Sequence, residues 1–193
     1  MAKHVCISIK IDKKNPLPRE LIIRILVVIT EARADSYGAQ VAMGLAHGRP
    51  ARLVLLGRSA EPIQSVLDEI RRASPETVSY FVSLNLQDLD SVREAARSIQ
   101  QLTDAVHGLI NCAGLVSREV PSRPPPNGDT ERPLASNHVG HFLLTNLLRP
   151  QLAAAQGRVC NMSSRKHVVS RPSFEDVKFN VRMPLTELWY YLN

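Results

Sequence analysis

Five short apolar runs, each of the first four followed by a stretch with helical spacing, constrain this chain more than any other feature. Ile23 to Thr30 is dominated by β-branched residues, as suits a strand buried on both faces. Gly38 to His47 sets Val41, Ala42, Leu45 and Ala46 on one side, and Gly48 and Pro50 stop it, which predicts a helix. Arg52 to Leu56 is the second strand. Ser59 is placed to cap a helix whose stripe is Ile63, Val66, Leu67 and Ile70. Val78 to Leu84 is the third strand, and Val92, Ala95, Ala96 and Ile99 mark the next helix. Ala105 to Asn111 is the fourth strand. A long helix runs from Leu134 to about Leu152, with Pro150 placed to bend or end it, and Arg158 to Met162 is the fifth strand. Such alternation means βαβ units, hence an α/β, doubly wound parallel sheet with helices on both faces. Residues 1–20 read as an appendage, and 21–193 as a single domain.

Composition narrows the function classes. The chain has 193 residues, 44% apolar, and a net charge of +6, which suits one folded domain and excludes global disorder. Six Lys and Arg residues but only Asp12 and Glu20 fall within the first 24 positions, so most of the surplus charge is N-terminal and the body is near neutral. No element clusters basic residues with aromatics, which argues against nucleic-acid binding. The greasiest stretch, Leu21 to Ile29, contains Arg24 and is too short to span a bilayer. No secretory signal is visible, and Cys6, Cys112 and Cys160 form no CxxC pair, so the expectation is a cytoplasmic protein with reduced thiols.

Ligands in doubly wound sheets sit beyond the carboxyl ends of the strands. After the first strand comes Thr30-Glu31-Ala32-Arg33-Ala34-Asp35-Ser36-Tyr37-Gly38 and then a helix, a layout that can receive phosphate or serve as a plain connection. After the second comes Leu56-Gly57-Arg58-Ser59, where an arginine in place of an acid suits a 2′-phosphate. Asn111-Cys112-Ala113-Gly114 follows the fourth strand and Asn161-Met162-Ser163-Ser164 the fifth, with Ser136-Asn137-His138-Val139-Gly140-His141-Phe142 between them. Taken singly, Asn137 and the serine pair also read as a helix polar face and a loop or cap. His138 and His141 have no partner spaced to complete a metal site, so no metal is expected.

Together LLGRS, LINCAG, SNHVGHFLLTNLL and GRVCNMSS resemble the short-chain dehydrogenase/reductase family, in the branch of retinol-dehydrogenase-like and fungal oxidoreductases, from about Leu26 to the last residue. The resemblance implies a Rossmann-like domain binding NADP(H) and acting on a small carbonyl or alcohol substrate. It also implies a Ser-Tyr-Lys-Asn constellation. Asn137 matches the asparagine that organises a water in a proton relay, and Ser164 the serine that bonds the substrate oxygen. Tyr191 matches the catalytic tyrosine, with Tyr190 as the register alternative. Cofactor contacts carry over to Thr30, Arg33, Tyr37 and Gly38 in the first turn, and to Arg58, Asn85 and Leu86 beyond the second and third strands. Asn111, Ala113 and Gly114 complete the set.

The sequence departs from the family pattern in three places. The first glycine of the family turn aligns with Glu31, whose carboxylate either repels a diphosphate or turns outward and lets Arg33 reach it. Asn85 replaces the usual acid near the adenine. The lysine four residues after Tyr191 would fall beyond Asn193, so the expectation is a C-terminally truncated member, cut after about five strands. Its fifth strand would be an uncovered edge open to self-association. The competing expectation is a non-catalytic remnant or regulatory protein that keeps the same body.

Overall fold

The structure is a computed structural model and describes residues 25–115 and 134–163. The chain runs β1 (Leu26–Thr30), α1 (Tyr37–Ala46), β2 (Arg52–Gly57), α2 (Glu61–Ala73), β3 (Val78–Ser83), α3 (Leu89–Leu102) and β4 (Gly108–Asn111). A π-helical segment, Ala135–Gly140, then leads into α4 (His141–Leu147), α5 (Arg149–Ala154) and β5 (Arg158–Asn161).

Alternation within the strands builds two cores. In β1, Leu26 and Val28 face one side, and Val27 and Ile29 the other. The first pair packs with Val92, Ala95, Ala96 and Ile99 of α3 and with Leu144, Leu148 and Leu152. The second pair packs with Ala39, Ala42 and Ala46 of α1 and with Ile63, Val66, Leu67 and Ile70 of α2. Burying each larger aliphatic side chain contributes about 1.5–3 kcal/mol, so both helical layers are held by area rather than by polar contacts. The strands are all parallel in the order β3-β2-β1-β4-β5, with Val28 opposite both Val54 and Leu109. The chain reverses direction across the sheet between β1 and β4, and this switch point opens the crevice where such sheets bind ligands.

In four details the fold differs from what the sequence predicts. Ser59 does not cap α2: Ala60 is the N-cap, its carbonyl accepting from the Ile63 and Gln64 N–H groups, and Pro62 supplies the preset φ of a first turn. Helix α1 begins at Tyr37 rather than Gly38, capped by the Ser36 hydroxyl, which accepts from Ala39 N–H. Strand β4 starts at Gly108 rather than Ala105. The long helix is three pieces. It opens with the π-helical turn and breaks at Leu148, where Pro150 is tolerated in the first turn of α5. Residues 1–20 lie outside the described residues. Among the described residues no helix is long and apolar enough to cross a membrane.

Candidate functional site

Three loops meet at the carboxyl edge of the sheet. The first leaves β1 at Glu31, whose N–H donates to the Leu56 carbonyl at 2.8 Å. Glu31 has φ 56° and Asp35 φ 62°, left-handed values that favour glycine. Ser36 holds the turn: its hydroxyl lies 2.7 Å from the Glu31 carbonyl and 2.6 Å from that of Arg33. Gly38 is required by closeness, because a Cβ there would stand 2.3 Å from the Glu31 carbonyl oxygen. The start of α1 thus lies directly on the end of β1.

Beside this turn Glu31, Arg33, Gly57, Arg58, Ser59, Pro62 and Ile63 line a small open cleft of about 50 Å³. The Glu31 carboxylate does not stand alone there. It accepts from Arg33 Nε at 2.7 Å, which cancels its charge locally and engages that guanidinium. Arg58 is exposed at the cleft, and Tyr37 is exposed at the head of α1.

The second loop follows β4. Thr30, fully buried, ties it to β1: its Oγ1 accepts from both Cys112 N–H and Ala113 N–H at 2.9 Å. The Asn111 side chain is buried and faces the sheet edge, where Nδ2 donates to Asn161 Oδ1 at 2.7 Å. Asn111 therefore joins β4 to β5 through its side chain, Nδ2 also lying 3.4 Å from Thr145 Oγ1, while its buried Oδ1 has no partner among the described residues. Gly114 is exposed, and nothing described lies within 4 Å of a Cβ built there. The Cys112 thiol is pushed up to about 11, by burial first and by Cys160 second, and stays protonated at neutral pH.

The third element is the π-helical turn. Asn137 is exposed and its amide brackets the β4 loop, Oδ1 accepting from Leu115 N–H at 2.7 Å and Nδ2 donating to the Leu115 carbonyl at 2.9 Å. Gly140 lets this turn lie against the loop after β3, since a Cβ would stand 2.4 Å from the Leu86 carbonyl. Leu86 itself is buried in the core. Asn85 Oδ1 accepts from Gln87 N–H at 3.2 Å. His138 stacks on Phe142, and the His141 ring lies between Thr30 and Asn137. Ser164 and Tyr191 lie outside the described residues.

The structure thus brings Thr30, Ala113, Gly114 and Asn137 to one crevice, and gathers Arg33 and Arg58 at one cleft. The sequence reading missed Ser36 and His141. Ser36 is a favoured capping residue type two positions before Gly38 and could have been found from that alone. His141 sat inside a quoted motif, but its partner is 111 residues away.

A doubly wound sheet with its polar loops gathered at the β1/β4 switch point defines a nucleotide-binding α/β domain. Residues 26–175 match the family model for the short chain dehydrogenases, and the chain belongs to that family. It is 36% identical over 157 residues to the oxidoreductase FscI of Fusarium equiseti, covering 79% of this chain and 60% of that one. It is 35% identical over 168 residues to human retinol dehydrogenase 13, covering 85% and 48%. The chain spans about half the length of the curated relatives it matches. Among solved structures, a short chain dehydrogenase from Pseudomonas syringae matches with a TM-score of 0.66 at 24% identity, covering 81% and 64%. A metagenomic short-chain oxidoreductase in complex with NADP matches with 0.60 at 27% identity, covering 72% and 62%.

Proposed function

We propose that this domain binds NADP(H) across the β1/β4 crevice and serves an oxidoreductase that acts on a carbonyl or alcohol carbon. The observation that carries the reading is the cleft at the end of β2, where Arg58 and Ser59 stand exposed and the one lining carboxylate is already paired with Arg33. A planar guanidinium there suits a 2′-phosphate, whereas an acid would have suited a bare ribose hydroxyl. The close seating of α1 on β1 at Gly38 fits a diphosphate approaching backbone. Tyr37 and Asn85 flank the nucleoside end, and Ala113 and Gly114 the nicotinamide end.

When bound, the nicotinamide supplies the hydride chemistry. The chain's own residues orient and move protons. Asn137 fixes the β4 loop through Leu115, and Ser164 bonds the substrate oxygen. Tyr191 carries the proton; a phenol near pKa 10 needs nearby positive charge to do so at neutral pH. The Ser164 and Tyr191 roles rest on the family resemblance.

Calorimetric titration of Arg58→Asp tests the reading. NADPH should weaken about 10- to 100-fold, the worth of one charge-assisted bond, while NADH changes little. Equal losses for the two cofactors would remove Arg58 from the 2′-phosphate. No saturable binding of either by the unaltered chain would favour a non-catalytic domain instead.

A further inference from the structure

We propose that His141 is a positioning residue that works only as the neutral Nδ1–H tautomer, bridging Thr30 to the Asn137 carbonyl and so fixing the turn that carries Asn137. The inference rests on reading Asn137 as an active-site residue.

A threonine hydroxyl has one proton to give and two lone pairs to receive. Cys112 N–H and Ala113 N–H both donate to Thr30 Oγ1 at 2.9 Å, which fills both lone pairs. The third contact of Oγ1, with His141 Nε2 at 3.0 Å, must therefore use the hydroxyl proton. Nε2 has to accept it with a bare lone pair. A neutral imidazole bare at Nε2 carries its proton on Nδ1, and Nδ1 lies 3.0 Å from the Asn137 carbonyl, which can only accept. Every atom of the chain of bonds is then satisfied.

The other protonation states fail the same count. The Nε2–H tautomer sets a proton against a saturated oxygen and turns two lone pairs toward each other at Asn137. The imidazolium repeats the first fault. The first fault falls on the fully buried Thr30 hydroxyl and the second on the partly buried contact at Asn137, where unmade bonds are costly. Burial independently lowers the His141 pKa; the Asn137 carbonyl acts in the opposite direction and the charge of His138 in the same one. Neither β1 nor β4 carries a charged residue. On the surrounding elements Glu31 pairs with Arg33, Asp90 with Arg93 and Glu94 with Arg97.

The backbone of the turn departs from α-helical bonding beside Asn137. In an α-helix the N–H of residue 141 would bond the carbonyl of residue 137. Here the His141 N–H goes to the His138 carbonyl at the end of the π-helical turn. The imidazole Nδ1 instead meets the Asn137 carbonyl, and its Nε2 links that carbonyl to the end of β1.

Two measurements on the isolated chain, neither needing cofactor or substrate, test this separately from the cofactor reading. A long-range proton–nitrogen correlation spectrum should show His141 protonated at Nδ1 and bare at Nε2 from pH 8 down to pH 6. An Nε2–H ring, or an imidazolium at pH 6, would overturn the proposal. In His141→Leu, exchange of the Leu115 amide, which Asn137 holds, should speed up about tenfold, the worth of one hydrogen bond, while the β1 amides keep their protection. Unchanged Leu115 exchange would overturn it. Should the leucine variant unfold, His141→Asn decides: its amide reaches the Nδ1 position but cannot bridge to Thr30, so Leu115 exchange should still speed up, whereas Leu115 protection equal to that of the unaltered chain would overturn the proposal.

Discussion

Glu31 holds a left-handed backbone at φ 56° where glycine would be unstrained, and its carboxylate engages the Arg33 guanidinium. Left-handed backbone costs a non-glycine residue about 1–2 kcal/mol, and a partly exposed ion pair returns at most about 1 kcal/mol. Glu31→Gly should therefore be neutral to slightly stabilising in urea denaturation. It should also tighten NADPH several-fold, because Arg33 no longer has an internal anion to leave. Weaker NADPH binding in that variant would show instead that the carboxylate helps to build the site. Asp35, at φ 62°, is a second position where the loop departs from the glycine pattern without losing its shape, since Ser36 supplies the hydrogen bonds that hold it.

Among the elements, the π-helical turn is placed by a backbone contact as well as by His141. Gly140→Ala would drive a Cβ to 2.4 Å from the Leu86 carbonyl, a neighbour that cannot rotate away. We expect about 1–3 kcal/mol of destabilisation, as for overpacking, together with a looser Leu115 amide; an unchanged urea midpoint would disprove the close contact. This element also marks the limit of what the sequence disclosed. The stripe Ile63, Val66, Leu67, Ile70 and the run Leu26–Thr30 were legible because hydrophobic period alone specifies a helix face and a buried strand. That Thr30, Arg58 and Gly114 lie at or just past strand ends was legible because the apolar runs fix where the strands stop. The three-part helix was not: a π turn keeps an ordinary apolar spacing in sequence, and only Pro150 hinted at the break. The inward turn of Asn111 toward Asn161 was equally hidden, since either strand face was open to it.

For the whole molecule, His141 ties stability to pH. Its folded-state pKa lies below the usual 6.5, so below pH 6.5 the unfolded chain binds more protons than the folded one. The His141 contribution is complete above that value and diminishes as pH falls toward the folded-state pKa, by at most about 1.4 kcal/mol per pH unit. Between pH 7.5 and pH 5.5 the urea midpoint should drop more for the unaltered chain than for His141→Asn; parallel curves would sink the assignment. The Thr30 hydroxyl has a consequence for assembly too. Its three partners lie 82, 83 and 111 residues along the chain. Contacts at such separation close late, after nearer pairings have met the entropy of the intervening loops. A chain emerging from the ribosome therefore cannot complete the contacts of the Thr30 hydroxyl until β4 and α4 have been made, however early β1 pairs with β2. The crevice thus draws on residues from far-apart parts of the described fold, and a chain stopped before α4 carries β1 without the partners that close it.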